Sequence, residues 1–414
     1  MRKAYKYRIY LTNGQRRLLE AQLEECRWVY NQTLAARRDA HVLSSPLGLY
    51  DTQALLPGWK AERPALKRVH SMILQNVQVR VELAFQAFFR RVKAKEPVNG
   101  YPRFKSFGRY DSMTFPQYGN GVRLEGNSLI LSKVGAVHLV LHRPVEGTPK
   151  TVTLTRSRTG KWYACFSCET APHLLPPNSS VVGVDVGLAT FATLSNEQKI
   201  DNPRFYRRDE ADIKRVQKRK DAAKNAQDWP ENSKQKSILA RIHERIANRR
   251  ADFAHKQSRA LVDAHQVIVF EELAPQEMGK SRGMRKSIMD VAWTQFISLT
   301  IGKAAEAGRS VILVNSRNTS KMCSQCGELV EKTLGERTHT CPYCGLVLDR
   351  DVNAAINILH REAKCSKRET VGWGGIPLKP TRFTRGSRHG IMPTTLPPQV
   401  GAHQTSGRQM VLLD

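Results

Sequence analysis

Apolar and polar positions along the chain fall into blocks of different period. Over residues 4–10 aromatic or apolar side chains alternate with basic ones, as in a strand with one buried face. Thr12-Asn13-Gly14-Gln15 reads as a turn with a helix cap. Leu18, Leu19, Leu23, Trp28, Val29 and Leu34 then recur at helical spacing over 15–38, with Cys26 as a small core residue. A second helix is expected over 66–95. Val77, Val81, Ala84, Phe85, Phe88 and Val92 form its apolar stripe; Arg68, Arg80, Arg90, Arg91, Lys93 and Lys95 decorate the rest.

Between 110 and 169 the period becomes two. Runs at 122–124 and 129–131 flank Gly126-Asn127, and runs at 152–155 and 162–168 flank Arg158-Thr159-Gly160, with another strand at 137–141. Several short strands with tight turns suggest a small barrel, which the strand at 4–10 joins, so a helical segment interrupts the barrel. Cys165 and Cys168, three apart in a strand, point to opposite faces and make a poor metal pair. A proline-rich linker follows at 171–180. Beyond it, apolar runs at 181–195, 266–273 and 311–314 read as buried strands. They are interleaved with helical stretches at 204–259 and 293–307, which indicates an α/β half. Periodicity is lost after 369, and a flexible basic tail is expected there.

Charge changes the picture of the partners. The 414 residues carry 66 Lys and Arg against 37 acids, a formal net charge of +29. Such an excess suits a nucleic-acid backbone. The helical stretch from 204 is strongly basic; Lys214, Arg215, Lys218, Arg241 and Arg245 recur there at intervals that make faces, and acids are too few to pair them. No apolar run approaches the ~20 residues of a membrane span. With no signal-like apolar segment at Met1–Tyr10, a cytoplasmic protein with reduced cysteines is expected.

Two features carry candidate chemistry. Cys323-x-x-Cys326-Gly327 and Cys341-x-x-Cys344-Gly345 are two knuckles that fit one tetrahedral, closed and therefore structural Zn²⁺. Asp185 sits in a buried apolar run between Gly183 and Gly187, on a strand face expected to be open enough for a phosphate or an ion. Glu271 ends the second strand, and Asp351 lies where a helix begins; one of Asp349 and Asp351 is expected to cap it. Three separated carboxylates in a polyanion-binding protein suit a site for two Mg²⁺ ions. The chain offers no HExxH, no GxxxxGK[ST] and no Ser-His-Asp signature.

At these residues the chain resembles a known family. Gly183-Val-Asp185-Val-Gly187, Glu271-Glu-Leu273 and Asp349-Arg-Asp351-Val-Asn-Ala-Ala355-Ile-Asn357-Ile look like the three RuvC motifs, with Thr319-Ser320 and the paired knuckles before the third. The family is TnpB, the insertion-sequence-encoded RNA-guided DNA nucleases related to type V CRISPR effectors. Tyr7-Arg8-Ile9-Tyr10, Cys26-Arg27-Trp28-Val29-Tyr30-Asn31 and Gly100-Tyr-Pro-Arg-Phe-Lys105 are also similar, so the resemblance covers roughly 1–362.

The resemblance implies a multidomain α+β chain: a split wedge barrel with an inserted helical recognition segment, then an RNase H-like (RuvC) nuclease domain with an inserted zinc ribbon. The implied boundaries are 1–10 (barrel strand), 11–108 (helical segment), 109–175 (barrel), 176–318 (nuclease, with a basic helical insertion at 204–260), 319–347 (ribbon, binding target nucleic acid), 348–364 (third motif) and 365–414 (tail). It makes Asp185, Glu271 rather than Glu272, and Asp351 the catalytic ligands of Mg²⁺. Its partners are a guide RNA and double-stranded target DNA, with no membrane, and it suggests Gln75, Asn76 and Arg80 as readers of a short motif beside the target. Rival readings are a catalytically silent RNA-guided regulator and an accessory transposase. Oligomeric state is left open.

Overall fold

The computed structural model describes residues 1–272, 282–333, 335–364 and the short strands at 370–371 and 377–378. Strand β1 (Arg2–Tyr10) leads into helix α1 (Asn13–Val42). The Thr12 hydroxyl accepts the Gln15 N–H at 3.2 Å, and the Gln15 side chain accepts the Thr12 N–H at 3.1 Å. This reciprocal box satisfies two N–H groups that a helix start leaves unpaired. Two short helices, α2 (Leu49–Ala54) and α3 (Leu56–Glu62), and a 3₁₀ turn at Pro64–Arg68 precede helix α4 (Ser71–Lys93).

The single helix expected from residue 66 is therefore divided. His70 is extended, at φ −63° and ψ 131°, so α4 starts only at Ser71. Leu66, Val69 and Ile73 are nevertheless all buried, so the apolar pattern runs straight across a backbone break that it cannot register. The stripe also fades at its far end, where Phe88 is half-buried and Val92 exposed.

Strands β2 (Ser112–Phe115), β3 (Val122–Glu125), β4 (Ser128–Leu131), β5 (Gly135–Val140), β6 (Thr148–Arg156) and β7 (Trp162–Glu169) follow. With β1 they form one seven-stranded sheet in the order β2-β6-β7-β1-β5-β4-β3. Every pairing is antiparallel, with Tyr7 opposite Ala164 and Ile9 opposite Leu139. The first strand of the chain thus sits mid-sheet between strands from far downstream. The end strands β2 and β3 do not pair with each other, so the barrel is only partly closed. Tyr5, Tyr7 and Ile9 point into a core that also takes Leu19, Leu23 and Val29 of α1 and Val77 and Val81 of α4. Along β7, Cys165 is half-buried and Cys168 fully buried, as alternation across a strand requires.

The second half holds a five-stranded sheet. Its strands are β8 (Val181–Val186), β9 (Thr190–Leu194), β10 (Lys199–Asp201), β11 (Val267–Glu272) and β12 (Ser310–Asn315), in the order β10-β9-β8-β11-β12. β8, β11 and β12 are parallel; β9 and β10 are antiparallel. Helices α5 (Phe205–Asn225) and α6 (Trp229–Ala264) form a hairpin around Ile213, Val216, Ile242 and Ile246. The far end of α6 continues beneath the sheet, where Leu261 and Val262 pack with Val182, Val184, Ile268 and Phe270. Helices α7 (Arg282–Val291) and α8 (Trp293–Ala307) close the same side, with Phe296 fully buried.

Strands β13 (Thr338–Thr340) and β14 (Val347–Asp349) pair as a small antiparallel ribbon, and helix α9 (Arg350–Lys364) follows. α9 covers the opposite face of the five-stranded sheet, where Ile358 meets Val267, Val269 and Val314. The flexible tail expected from 365 lies outside the described residues, apart from Thr370–Val371 and Pro377–Leu378, which pair with each other. Among the described residues no helix is long and apolar enough to cross a membrane.

Candidate functional site

The site lies where the parallel strands end beneath the start of α9. Phe270 pairs with Val184 across β11 and β8, so the next residues, Glu271 and Asp185, stand at one level on one face. Phe270 and Val184 point into the α6/α8 core, and the two acids therefore point to the α9 side. The expected open face is not found at Gly183. A Cβ there would lie 2.1 Å from the Ala355 carbonyl oxygen and 2.9 Å from the Leu359 nitrogen. Glycine is required because the α9 backbone presses on β8, and no phosphate or ion can enter at that position. Ser195 fixes the same spot: its hydroxyl accepts the Gly183 N–H at 3.1 Å.

This close approach brings the first turn of α9 to Asp185. Asp349 acts as the cap: its Oδ1 accepts the Asp351 N–H at 2.9 Å and the Val352 N–H at 3.2 Å. Its other oxygen is 2.7 Å from Lys199 Nζ on β10. Asp351, one step into the helix, pairs with Arg350 at 3.3 Å and Arg337 at 3.8 Å. Burial, and then the negative charges of Glu271 and Asp351, push the Asp185 carboxyl well above its ordinary range. Burial also raises Glu271, opposed by a hydrogen bond from the Thr319 hydroxyl to Oε1. Glu272 is exposed and turned away.

A buried carboxyl raised further by two neighbouring carboxylates suits a hard divalent cation, which replaces the proton as counter-charge. The three carboxylates are not drawn into a tight cluster. Among the described residues only the four cysteines bring three or more ligating side chains that close. A pair of ions about 4 Å apart spreads its ligands more widely than a single ion does.

Those cysteines form the second centre. The ligand sulfurs of Cys323, Cys326, Cys341 and Cys344 all lie within 4.8 Å of one another, and Cys323–Cys344 and Cys326–Cys341 are each 3.6 Å apart. Sulfurs ~2.3 Å from a central zinc at tetrahedral angles stand about 3.8 Å apart, so the set fits the ion. The two knuckles share one turn. The Gly327 and Gly345 N–H groups donate to the Cys323 and Cys341 carbonyls at 3.0 Å, and both glycines have positive φ, at 84° and 77°.

Asn353 and Asn357, four apart on α9 and fully buried, tie this ribbon to the acids. Asn353 donates to the Met322 carbonyl at 2.8 Å and accepts the Ser324 N–H at 2.9 Å; Asn357 donates to the Thr319 and Met322 carbonyls at 2.9 and 2.6 Å. Thr319, held in this way, reaches Glu271. Sequence reasoning gave these three residues no role. The available signal was two amides at helical spacing on a face that otherwise buries Val352, Ala355 and Ile358.

The candidate nucleic-acid contacts divide. Lys214, Arg215, Lys218, Arg241 and Arg245 are all exposed on the α5–α6 hairpin. Arg215 is 2.5 Å from Asp212 and Lys214 3.5 Å from Glu210, whereas Lys218, Arg241 and Arg245 have no ion pair among the described residues. Gln75 is exposed and Asn76 half-buried on α4. Arg80 is turned inward, 2.9 Å from the Ser112 carbonyl and 2.7 Å from the Thr114 hydroxyl.

Fold and site together define a multidomain α/β protein with a Cys₄ ribbon docked beside strand-end and helix-start acids. Family models agree: one described as "Helix-turn-helix domain" matches 1–42, which here hold β1 and α1; "Probable transposase" of the OrfB_IS605 type matches 165–282; and "Cas12f1-like, TNB domain" matches 293–358. A protein of Streptomyces pristinaespiralis named "Putative RNA-guided DNA endonuclease" is 35% identical over 405 residues, 93% of this chain and 98% of the relative. "Putative RNA-guided DNA endonuclease InsQ" of Escherichia coli (strain K12) is 31% identical over 380 residues, 86% of this chain and 90% of its own. The CRISPR-associated endodeoxyribonuclease Cas12f1 of Sulfoacidibacillus thermotolerans is 24% identical over 250 residues, 56% of this chain and 58% of that protein. The chain belongs to the TnpB (OrfB) family.

Proposed function

We propose that this chain is an insertion-sequence-encoded endonuclease that uses a bound guide RNA to find and cut double-stranded DNA, with Asp185, Glu271 and Asp351 holding its catalytic Mg²⁺ ions. One observation carries the site: two strand-end acids and one helix-start acid meet at the junction of β8, β11 and α9, where burial and then the other two carboxylates raise the Asp185 carboxyl. The strand order supports an RNase H-like reading. In local numbering it is 3-2-1-4-5, with the first, fourth and fifth strands parallel.

A pair of divalent ions bound there supplies a hydroxide nucleophile and stabilises the leaving oxygen of a phosphodiester. The residues of the chain supply placement. Thr319 occupies Oε1 of Glu271 and fixes the rotation of that carboxylate. Asp349 ends the strand and caps α9, which sets Asp351 on the first turn, where the helix dipole favours an anion. Asp185 is held by the β8 ladder and by the tight seat of α9 on Gly183. In this division of labour guide pairing reads sequence, while the protein binds backbone and a short flanking motif. Lys218, Arg241 and Arg245 take phosphates, and exposed Gln75 and half-buried Asn76 remain the candidates on α4. Zinc in the Cys₄ centre is structural, because four thiolates leave no open position.

The test is cutting of a plasmid that matches the RNA purified with the chain. The wild type is expected to cut with Mg²⁺ and to stop when the metal is withdrawn, with about one zinc per chain by elemental analysis. Asp185→Ala is expected to retain the RNA and lose cutting. Undiminished cutting by that variant would overturn the site, and RNA retention without cutting by the wild type would favour a regulator.

A further inference from the structure

The segment between α4 and β2 leaves a face that the nuclease reading does not use. Residues 89–109 contain seven cations and one acid, Glu96. The segment is pinned rather than loose. Arg27 and Asn31 donate to the Lys105 carbonyl at 2.9 and 3.0 Å, and Asn31 accepts the Lys105 N–H at 2.8 Å. Arg91 holds the carbonyls of Asn99 and Gly100 at 2.9 and 3.0 Å. Tyr101 wedges edge-on against Phe85 and Phe88, with centroids 5.5 and 5.3 Å away.

On this fixed frame the next rings face water. Phe104 is 49% exposed, with the Arg38 guanidinium 5.5 Å from its ring centre, and Phe107 is 81% exposed; Phe89, on the last turns of α4, is also exposed. Arg90, Lys93, Lys95, Arg103 and Arg109 have no ion-pair partner among the described residues. Exposed aromatic patches of this kind are rare on proteins that have nothing to cover them. The charge excludes a second copy of the chain, since the same face would meet the same cations. It equally disfavours an apolar protein partner, because interface cores are depleted in lysine. Rings among unpaired cations are the arrangement that takes a nucleic-acid strand, bases on the rings and phosphates on the cations.

We infer that this face is a stacking platform for unpaired bases of the RNA the protein carries, with Phe104 and Phe107 as its rings. RNA is chosen over the DNA target because a resident partner keeps the rings covered throughout, whereas target DNA covers them only briefly. The inference rests on the RNA-guided reading above and adds where the protein grips its RNA.

The probe is the RNA recovered with the wild-type chain. Phe104→Ala with Phe107→Ala is expected to weaken its binding about tenfold or more, and Phe104→Trp with Phe107→Trp to bind like the wild type. The slope of log affinity against log salt stays unchanged in both, since no cation is removed; Arg103→Gln with Arg109→Gln makes it shallower. Phe107→Ser alone, at a side chain already in water, repeats the test without threatening the fold. Wild-type RNA affinity in a correctly melting double-alanine variant overturns the platform and leaves the nuclease reading intact. Failure of the wild type to carry any RNA overturns the nuclease reading itself. Loss of DNA cutting at unchanged RNA affinity, or a wild-type dimer that the alanines dissociate, assigns the face to another partner and also overturns it.

Discussion

At the scale of single residues, the site is a contest between burial and repulsion. Asp185 is pushed well above its ordinary value of 3.8 by burial first, then by Glu271 and Asp351. The folded protein therefore holds that proton more tightly than the unfolded chain does. Its contribution to stability is complete below the ordinary value and is lost as pH rises through the raised one. In magnesium-free buffer the melting temperature is expected to decline with rising pH over that window, and Asp185→Asn to flatten the decline and melt higher. Added Mg²⁺ should stabilise the wild type more than the variant. Identical pH profiles would show that the fold does not raise the Asp185 carboxyl. Thr319 is a positioning residue through its bond to Glu271. Thr319→Val is expected to lower cutting roughly 10- to 100-fold and to raise the Mg²⁺ requirement, with Thr319→Ser restoring most of it. Glu271 and Asp351 were told from their acidic neighbours by the family resemblance, and Asp185 was legible in the sequence because a charge inside an apolar run is conspicuous. Thr319 was not, because an ordinary hydroxyl has no pattern to break.

At the scale of elements, the decisive contact is α9 on β8. Gly183 read in sequence as an opening for a ligand, but it is where the helix backbone seats. Gly183→Ala puts a methyl 2.1 Å from the Ala355 oxygen, and the neighbour is backbone that cannot rotate away. The helix must shift, at a cost of about 1–3 kcal/mol. Calorimetry is expected to show a lower melting temperature, and cutting should fall further than RNA binding, because Asp351 travels with α9. A variant that melts and cuts like the wild type would mean that the seat is looser than described. Strands and long helices were legible because each presents one period over many residues. The helices α2 and α3, of six and seven residues, were not, since each spans too few turns to show a period. The break at His70 was missed because the apolar side chains on either side still face one core.

At the scale of the molecule, charge and core are arranged separately. The excess of cations is presented on surfaces such as the α5–α6 hairpin, whose own core is four aliphatic residues and their neighbours. Lys218→Glu with Arg241→Glu and Arg245→Glu is expected to weaken RNA binding. It should also make the salt slope shallower by about 0.7–0.9 for each phosphate that is no longer neutralised. An unchanged slope would remove the hairpin from the nucleic-acid interface. By itself the sequence determined what is local: the periods of the main elements, the two cysteine knuckles with their glycines, the charge balance, and three acids placed in an apolar run, at the end of one and at a helix start. These follow from backbone geometry repeating every few residues. Only the tertiary structure decided which distant pieces meet. It put β1 in the middle of a sheet made far downstream, left that sheet partly closed, and merged the α1 and α4 stripes into its core. It stood Glu271 beside Asp185, carried Asp351 to them on α9, and locked the ribbon to that helix through Asn353 and Asn357. Such adjacencies depend on burying facing apolar surfaces across long loops, and no period along the chain records which surface will be met.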